Sequence, residues 1–178
     1  MTELAPRRHL VLVGLMGAGK TTVGERCAAD LGRPFVDTDA LVEAAAAQRV
    51  HEIFAREGEA GFRKRERVAL ADACASVEPL VIACGGGAVL DARNRAAMRG
   101  TGIVVWLRAA PAELAARVGD GDGRPLLAGR SPIDTLRRLA ELRAPAYEAA
   151  AHVVVDTDGL AVEAVARRVL EEVDRCAV

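Results

Sequence analysis

The sequence is poor in aromatic residues and has no surplus of either charge. Only 3% of the 178 residues are aromatic, and 24 basic against 25 acidic side chains leave a formal net charge of −1. Proteins that bind single-stranded nucleic acid stack bases on aromatic rings, and nucleic acids or anionic membranes attract basic surfaces. The composition therefore argues against a nucleic acid or a membrane as partner, and a bound anion must be held by a local cluster of basic groups.

Cysteine and histidine are few and scattered. The four cysteines (Cys27, Cys74, Cys84 and Cys176) form no C-x-x-C pair, and the three histidines lie far apart in the chain, so neither a zinc site nor a disulfide framework is indicated. No apolar run approaches the ~18 residues that a membrane span requires. The length of 178 residues suits one domain over residues 1–178, and the 51% of apolar residues argue against a disordered chain. The unpaired cysteines predict free thiols in a reducing cytoplasm.

Short β-branched runs alternate with longer helical stretches along the chain. The pattern predicts five apolar strands at 9–13, 34–36, 80–83, 102–107 and 152–155. Helices are predicted at 22–31, 38–47, 50–56, 60–75, 91–98, 111–118, 132–150 and 160–173. Apolar strands that alternate with helices are typical of an α/β fold, in which helices flank a parallel sheet.

The first strand runs into the segment GLMGAGKT at 14–21, which matches G-x-x-x-x-G-K-[ST] between a strand and a helix. Such a P-loop turns backbone N–H groups and a helix N-terminus toward phosphates, with its lysine on the β- and γ-phosphates and its threonine on Mg²⁺. The motif leaves a kinase, an ATPase and a GTPase open, but a guanine-specific N-K-x-D element is missing, since the sole asparagine is Asn94. The predicted nucleotide-binding residues here are Gly14, Met16, Gly17, Ala18, Gly19, Lys20, Thr21 and Thr22.

Asp37 and Asp39 directly follow the second predicted strand. Carboxylates at i and i+2 point to different sides, so one suits a hydrated Mg²⁺ and the other an acceptor hydroxyl. The alternative is that either aspartate simply caps the next helix, and one carboxylate can do both.

Arginines form the next pattern. Arg63 and Glu66 share a helix face, which fits either a fixed guanidinium or an ordinary solvated ion pair. Arg124 follows a glycine-rich stretch, where a closing segment could deliver its charge to a phosphoryl group in transfer, or where it could be a solvated loop charge. Arg143 lies on the following helix, near Tyr147.

The triple glycine Gly85, Gly86 and Gly87 follows the third strand and lets the backbone approach a ligand closely. In open α/β sheets ligands gather at the carboxyl ends of the strands. The P-loop, Asp37, Asp39 and the triple glycine all lie at such ends, so we predict that they form a single site.

Taken together, these motifs resemble the shikimate kinase family. The resemblance covers nearly the whole chain, through GLMGAGKTT at 14–22, LGRPFVDTD at 31–39, GFRKRE at 61–66, GGGAV at 85–89, RPLL at 124–127 and RAPAYE at 143–148. It implies a nucleoside-monophosphate-kinase-like P-loop kinase with a five-stranded parallel sheet, substrate-binding helices at about 38–67 and a mobile lid at about 117–131. It also implies ATP-dependent, Mg²⁺-assisted phosphorylation of the 3-hydroxyl of shikimate in chorismate biosynthesis, and a monomer is expected.

The resemblance also implies a role for each matching residue. Lys20 and Thr21 serve the phosphates and Mg²⁺, Asp37 holds the hydrated metal, and Asp39 binds the shikimate hydroxyls. Arg63 and Arg143 bind the substrate carboxylate, and Gly85, Gly86 and Gly87 shape the substrate pocket. Arg124 comes from the lid onto the phosphate in transfer, and Arg117 lies against the adenine.

Two places depart from the family pattern. Ala47-Gln48-Arg49-Val50 stands where Gly-x-[Ser/Thr]-Ile is usual, and Cys84 stands where a small hydroxyl residue is usual. Other functions that share the P-loop remain open, namely a gluconate-type or nucleoside-monophosphate kinase and a nucleotide-binding module without turnover. The two kinase alternatives would not need Asp39, Arg63, the triple glycine and Arg143 together. The module without turnover is disfavoured because every expected functional position is filled by the appropriate residue type.

Overall fold

The computed structural model describes residues 9–119, 125–127 and 129–176, so the predicted lid residue Arg124 lies outside the described part. Its centre is a five-stranded sheet in the order β2-β3-β1-β4-β5, and every paired strand is parallel. The strands are β1 (His9–Val13), β2 (Phe35–Asp37), β3 (Val81–Ala83), β4 (Gly102–Arg108) and β5 (Val153–Asp156). The predicted five-stranded parallel α/β fold is confirmed.

The central strand β1 explains why the sheet needs helices on both faces. All five of its residues are buried, and it pairs with β3 through Leu10 and Val81 and with β4 through Leu10 and Ile103. A strand flanked by two others and covered on both faces has no solvated side, and its sequence is therefore continuously apolar rather than alternating. This strand carries the P-loop at its carboxyl end.

Seven helices are present in the described ranges, and they cover the sheet on both faces. Helix α1 packs against α7, whereas α4 packs against α3 and α6. The helices are α1 (Lys20–Leu31), α2 (Thr38–Ala46), α3 (Val50–Cys74), α4 (Ala92–Thr101), α5 (Pro111–Val118), α6 (Pro132–Ala150) and α7 (Val162–Cys176). None of these described helices is both long and apolar enough to cross a membrane.

The predicted helices at 50–56 and 60–75 are both present, and both lie within α3. Gly58 interrupts α3 between them with the non-helical backbone angles φ 69° and ψ −177°. The break turns the second half of the helix, which carries Arg63 and Glu66, relative to the first. Together with Val42 of α2, Ile53 and Phe62 of α3 form a small core separate from the main one.

The turn between α2 and α3 contains the departure from the family pattern. Ala47 has a positive φ of 50°, in the left-handed region that glycine occupies without steric cost. The N–H group of Arg49 donates to Glu52 (2.7 Å), and the N–H group of Val50 donates to Glu43 (2.9 Å). The turn thus has a left-handed residue although alanine, not glycine, occupies position 47. The carboxylates of Glu43 and Glu52 accept hydrogen bonds from the backbone N–H groups at the start of α3.

Candidate active site

The P-loop wraps tightly around the end of β1. Gly14, Gly17 and Gly19 all have positive φ, and Gly19 is the residue that precedes α1. A Cβ atom at Gly17 would lie 2.9 Å from the carbonyl oxygen of Leu114 in α5. Glycine is required at this point because α5 packs directly on the loop.

The polar side chains of the P-loop bind both the loop backbone and the turn after β2. Lys20 donates from Nζ to the carbonyl oxygens of Gly14 (2.8 Å) and Leu15 (3.0 Å). Thr21 donates from Oγ1 to Oδ2 of Asp37 (3.0 Å). The predicted metal-binding pair, Thr21 and Asp37, is thus in direct contact although the two residues are far apart in the chain.

Asp37 also caps α2, since its Oδ1 accepts from the N–H groups of Asp39 (2.9 Å) and Ala40 (3.4 Å). The capping alternative is therefore correct, and it does not displace the contact to Thr21. One carboxylate holds the helix start with one oxygen and faces the P-loop with the other.

Asp39 points the opposite way, into the interior of the site. Its Oδ1 is buried and has no hydrogen-bond partner among the described residues, as is also true of Oε1 of Glu66. Both carboxylates lie against Gly85, where a Cβ atom would be 2.8 Å from Oδ1 of Asp39. Burial, with the charges of Asp37 and Glu66, raises the pKa of Asp39 to about 6, although Lys20 and Arg63 oppose this.

Two guanidinium groups lie at the other end of the site. Arg63 donates to Oε2 of Glu66 (2.8 Å) and pairs with Glu59 (3.1 Å), so the predicted fixing of Arg63 by Glu66 is confirmed. Glu66 is only 1% exposed, and burial raises its pKa despite the opposing charge of Arg63. Arg143 is 3% exposed, and its Nε has no partner in the described part of the chain.

The triple glycine runs between these two ends. The N–H group of Gly85 donates to Oγ1 of Thr38 (3.0 Å), and the carbonyl oxygen of Gly86 accepts from the hydroxyl of Tyr147 (2.6 Å). A Cβ atom at Gly87 would overlap the guanidinium of Arg63. The loop has no side chains because both walls of the site approach its backbone.

Two cavities meet along this loop, and both border Met16, Asp37, Asp39, Gly85 and Gly86. A cavity of about 470 Å³ is also lined by P-loop residues, by Cys84 and by Arg117. A neighbouring cavity of about 520 Å³ also contains Arg63, Glu66, Gly87 and Arg143. The structure therefore brings the predicted phosphate-binding and substrate-binding groups to one edge of the sheet.

Two predicted nucleotide-binding residues do not border the nucleotide cavity. Gly14 is buried, and Ala18 is only 2% exposed. Arg117 of α5 donates to the carbonyl oxygens of Gly17 (3.3 Å) and Thr157 (3.0 Å), and so joins the P-loop to the segment after β5. Arg124 is the predicted site residue that falls outside the described ranges.

Sequence reasoning missed the apolar wall of the larger cavity and the hydroxyls that hold the triple glycine. Phe54 and Phe62 line that cavity with their ring centroids 4.8 Å apart and their planes tilted by 36°, although the break at Gly58 separates them in the chain. Tyr147 lies one helical turn after Arg143, a spacing that places both on one face of α6. That spacing was the available signal for Tyr147, whereas Thr38 and the two phenylalanines gave none that was specific.

Comparison with known proteins gives a consistent result. The family model described as "Shikimate kinase" matches residues 16–174. A shikimate kinase of Symbiobacterium thermophilum is 52% identical over 166 residues, which cover 92% of this chain and 95% of that protein. One of Bordetella pertussis is 46% identical over 161 residues, covering 90% and 76%.

A solved structure is similar as well. The shikimate kinase of Acinetobacter baumannii in complex with shikimate superposes with a TM-score of 0.91 at 39% identity. The match covers 94% of this chain and 93% of that one.

Proposed function

The chain belongs to the shikimate kinase family, and we propose that it transfers the γ-phosphoryl group of ATP to the 3-hydroxyl of shikimate. The products are shikimate 3-phosphate and ADP. The observation that carries the proposal is the pair of adjoining cavities, which share Asp37, Asp39, Gly85 and Gly86. A donor phosphate and an acceptor hydroxyl in these cavities would meet beside Asp39.

The smaller cavity suits the nucleotide. Backbone N–H groups of the P-loop and the N-terminus of α1 favour the phosphates. Lys20 would exchange its two carbonyl partners in the loop for phosphate oxygens, and so supply a fixed positive charge to the phosphoryl group in transfer. We assign adenine contact to Arg117, because it borders this cavity.

Thr21 and Asp37 fit a magnesium ion. Both side chains supply hard oxygen donors, and both line the nucleotide cavity. Oγ1 of Thr21 and Oδ2 of Asp37 lie 3.0 Å apart. Mg²⁺ bound there would neutralise charge on the β- and γ-phosphates.

The larger cavity suits a small hydroxylated acid. Arg63 and Arg143 would bind the shikimate carboxylate, because a guanidinium forms two parallel hydrogen bonds to a carboxylate. Asp39 would accept hydrogen bonds from the hydroxyls and would orient the attacking 3-hydroxyl or take its proton. Gly85, Gly86 and Gly87 would let the ring lie directly against the backbone.

A lid over residues 117–131 completes the proposed enzyme. Closure of this segment would exclude water and bring Arg124 to the transferring phosphoryl group, which limits wasteful hydrolysis of ATP. We further propose that the chain acts as a monomer, since one chain supplies the residues that line both cavities. We also propose a cytoplasmic location, because the described cysteines are free thiols, as is usual in a reducing compartment.

A coupled assay of ADP release tests the function. We expect ADP release to depend on shikimate and Mg²⁺, with at most slow release on gluconate or AMP. Absence of release with shikimate would refute the proposal, and faster turnover of gluconate or AMP would favour the other kinase functions. Binding of ATP without transfer to any of the three would instead indicate a nucleotide-binding module.

A further inference from the structure

We propose that Thr38 and Tyr147 are positioning residues that hold the triple glycine between the two ends of the substrate cavity. The inference rests on the proposed function and adds two hydroxyl groups to it. Neither hydroxyl is assigned to touch the substrate.

The triple glycine cannot fix its own position by side-chain packing. A segment of glycines has the largest conformational freedom of any backbone, so hydrogen bonds to its N–H and carbonyl groups must hold it. Two of these bonds go to hydroxyl groups, from the N–H group of Gly85 to Thr38 (3.0 Å) and from Tyr147 to the carbonyl oxygen of Gly86 (2.6 Å).

Thr38 connects the triple glycine to the end of the substrate cavity that contains Asp39. It is fully buried and lies between Asp37 and Asp39 at the start of α2. Its hydroxyl therefore sets how far the Gly85 backbone stands from the Asp39 carboxylate, which borders the same glycine. A change in this spacing would move the group that orients the attacking hydroxyl.

Tyr147 connects the triple glycine to the end of the substrate cavity that contains Arg143. It is 1% exposed, its ring stacks on Trp106 with centroids 5.2 Å apart, and it lies one turn after Arg143 on α6. The space beside Gly86 is bordered by both the Arg143 guanidinium and the Tyr147 hydroxyl. The ring is therefore immobilised by packing, and its hydroxyl fixes the loop relative to Arg143.

The two hydroxyls should affect different kinetic constants. Loss of the Tyr147 hydroxyl disturbs binding of the carboxylate, so Tyr147→Phe should raise the KM for shikimate about tenfold and change kcat less than about threefold. Loss of the Thr38 hydroxyl disturbs the position of Asp39 beside the reacting hydroxyl. Thr38→Val should therefore lower kcat about tenfold, with a smaller change in the KM for shikimate. The KM for ATP should stay within about twofold in both variants.

The matched control is Thr101→Val, because the Thr101 hydroxyl donates to the carbonyl oxygen of Ala97 (2.8 Å) at the end of α4, away from the site. It should leave all kinetic constants unchanged, and Thr38→Ser should restore kcat, since serine keeps the hydroxyl. If Thr38→Val does not unfold cooperatively on heating, Thr38→Ala, for which the same loss of kcat is expected, replaces it.

The test is steady-state kinetics on each variant, together with its melting temperature. Lower melting temperatures with wild-type constants, or equal losses in the KM for ATP and for shikimate, would overturn the positioning roles. Wild-type turnover of shikimate is measured in the same experiment. A wild type that does not turn over shikimate would refute the proposed function itself. An active wild type with unaffected variants would refute only the positioning roles of Thr38 and Tyr147.

Discussion

Replacement of Asp39 by asparagine should make the ligand-free protein more stable at neutral pH and nearly inactive. Oδ1 of Asp39 is buried without a hydrogen-bond partner in the described ranges, and it lies beside the carboxylate of Glu66 on the same side of Gly85. An amide of the same shape carries no charge, and its NH₂ group can donate toward Glu66. The substitution therefore removes an electrostatic cost from the folded state.

The size of the gain follows from the raised pKa of Asp39, which burial and the neighbouring carboxylates shift from 3.8 to about 6. A raised pKa means that the folded protein binds this proton more tightly than the unfolded chain does. The stability due to this proton is fully present below about pH 4 and is lost as the pH rises through about 6. At about 1.4 kcal/mol for each unit, Asp39→Asn should gain about 3 kcal/mol at pH 8 and about half of that at pH 5.

Urea unfolding at pH 8 and pH 5 measures this gain, and the ADP-release assay measures the loss of activity. Asp30→Asn is the control, because Asp30 forms an exposed ion pair with Arg26 and should change the stability by less than about 0.5 kcal/mol at both pH values. The kcat of Asp39→Asn should fall about a hundredfold or more. Equal stability of wild type and variant at pH 8, or a gain that does not shrink toward pH 5, would refute the reasoning.

Four further predictions concern single side chains. Lys20→Ala should cost roughly 3 kcal/mol of transition-state stabilisation, so near-normal turnover would contradict the role of Lys20. Arg63→Lys should raise the KM for shikimate and not that for ATP, because lysine loses the paired contact; an unchanged KM would argue against a carboxylate at Arg63. Arg124→Ala should lower kcat more than ATP affinity, and the reverse pattern would make Arg124 a ground-state binding residue. Ala47→Gly should raise the free energy of unfolding in urea by about 0.5–1 kcal/mol, because φ at Ala47 is positive; a lower stability would show that the strain is absent.

Proline at the first helical position made the starts of two helices predictable. The predicted helices at 111–118 and 132–150 match α5 and α6 to the residue, because each begins with a proline at its first position. α1, by contrast, begins at Lys20 rather than at residue 22, because its first turn already belongs to the P-loop. β5 and α7 also begin later than predicted, at Val153 and Val162.

The grouping of the site residues was predictable for a different reason. Carboxyl ends of parallel strands share one edge of a sheet, so the P-loop, Asp37 and the triple glycine had to converge once the strands were recognised. Contacts between elements without such a rule were not predictable. The hydrogen bond from Tyr147 to Gly86 joins residues 61 positions apart, and it depends on how α6 packs beside β4.

The predicted site residues are unevenly distributed along the larger cavity, and we expect this distribution to give the proposed substrate one orientation. Arg63, which is paired with Glu66, and Arg143 border this cavity and not the nucleotide cavity, whereas Asp39 and Asp37 border both. A shikimate molecule turned end for end would place its carboxylate against Asp39, where two buried like charges repel, and would leave Nε of Arg143 without an acceptor. If Arg63 and Arg143 bind the carboxylate as proposed, the ring hydroxyls would be the groups presented to the γ-phosphoryl. The regiochemistry of transfer would then follow from where the carboxylate binds, and Asp39 would need only to distinguish among neighbouring hydroxyls.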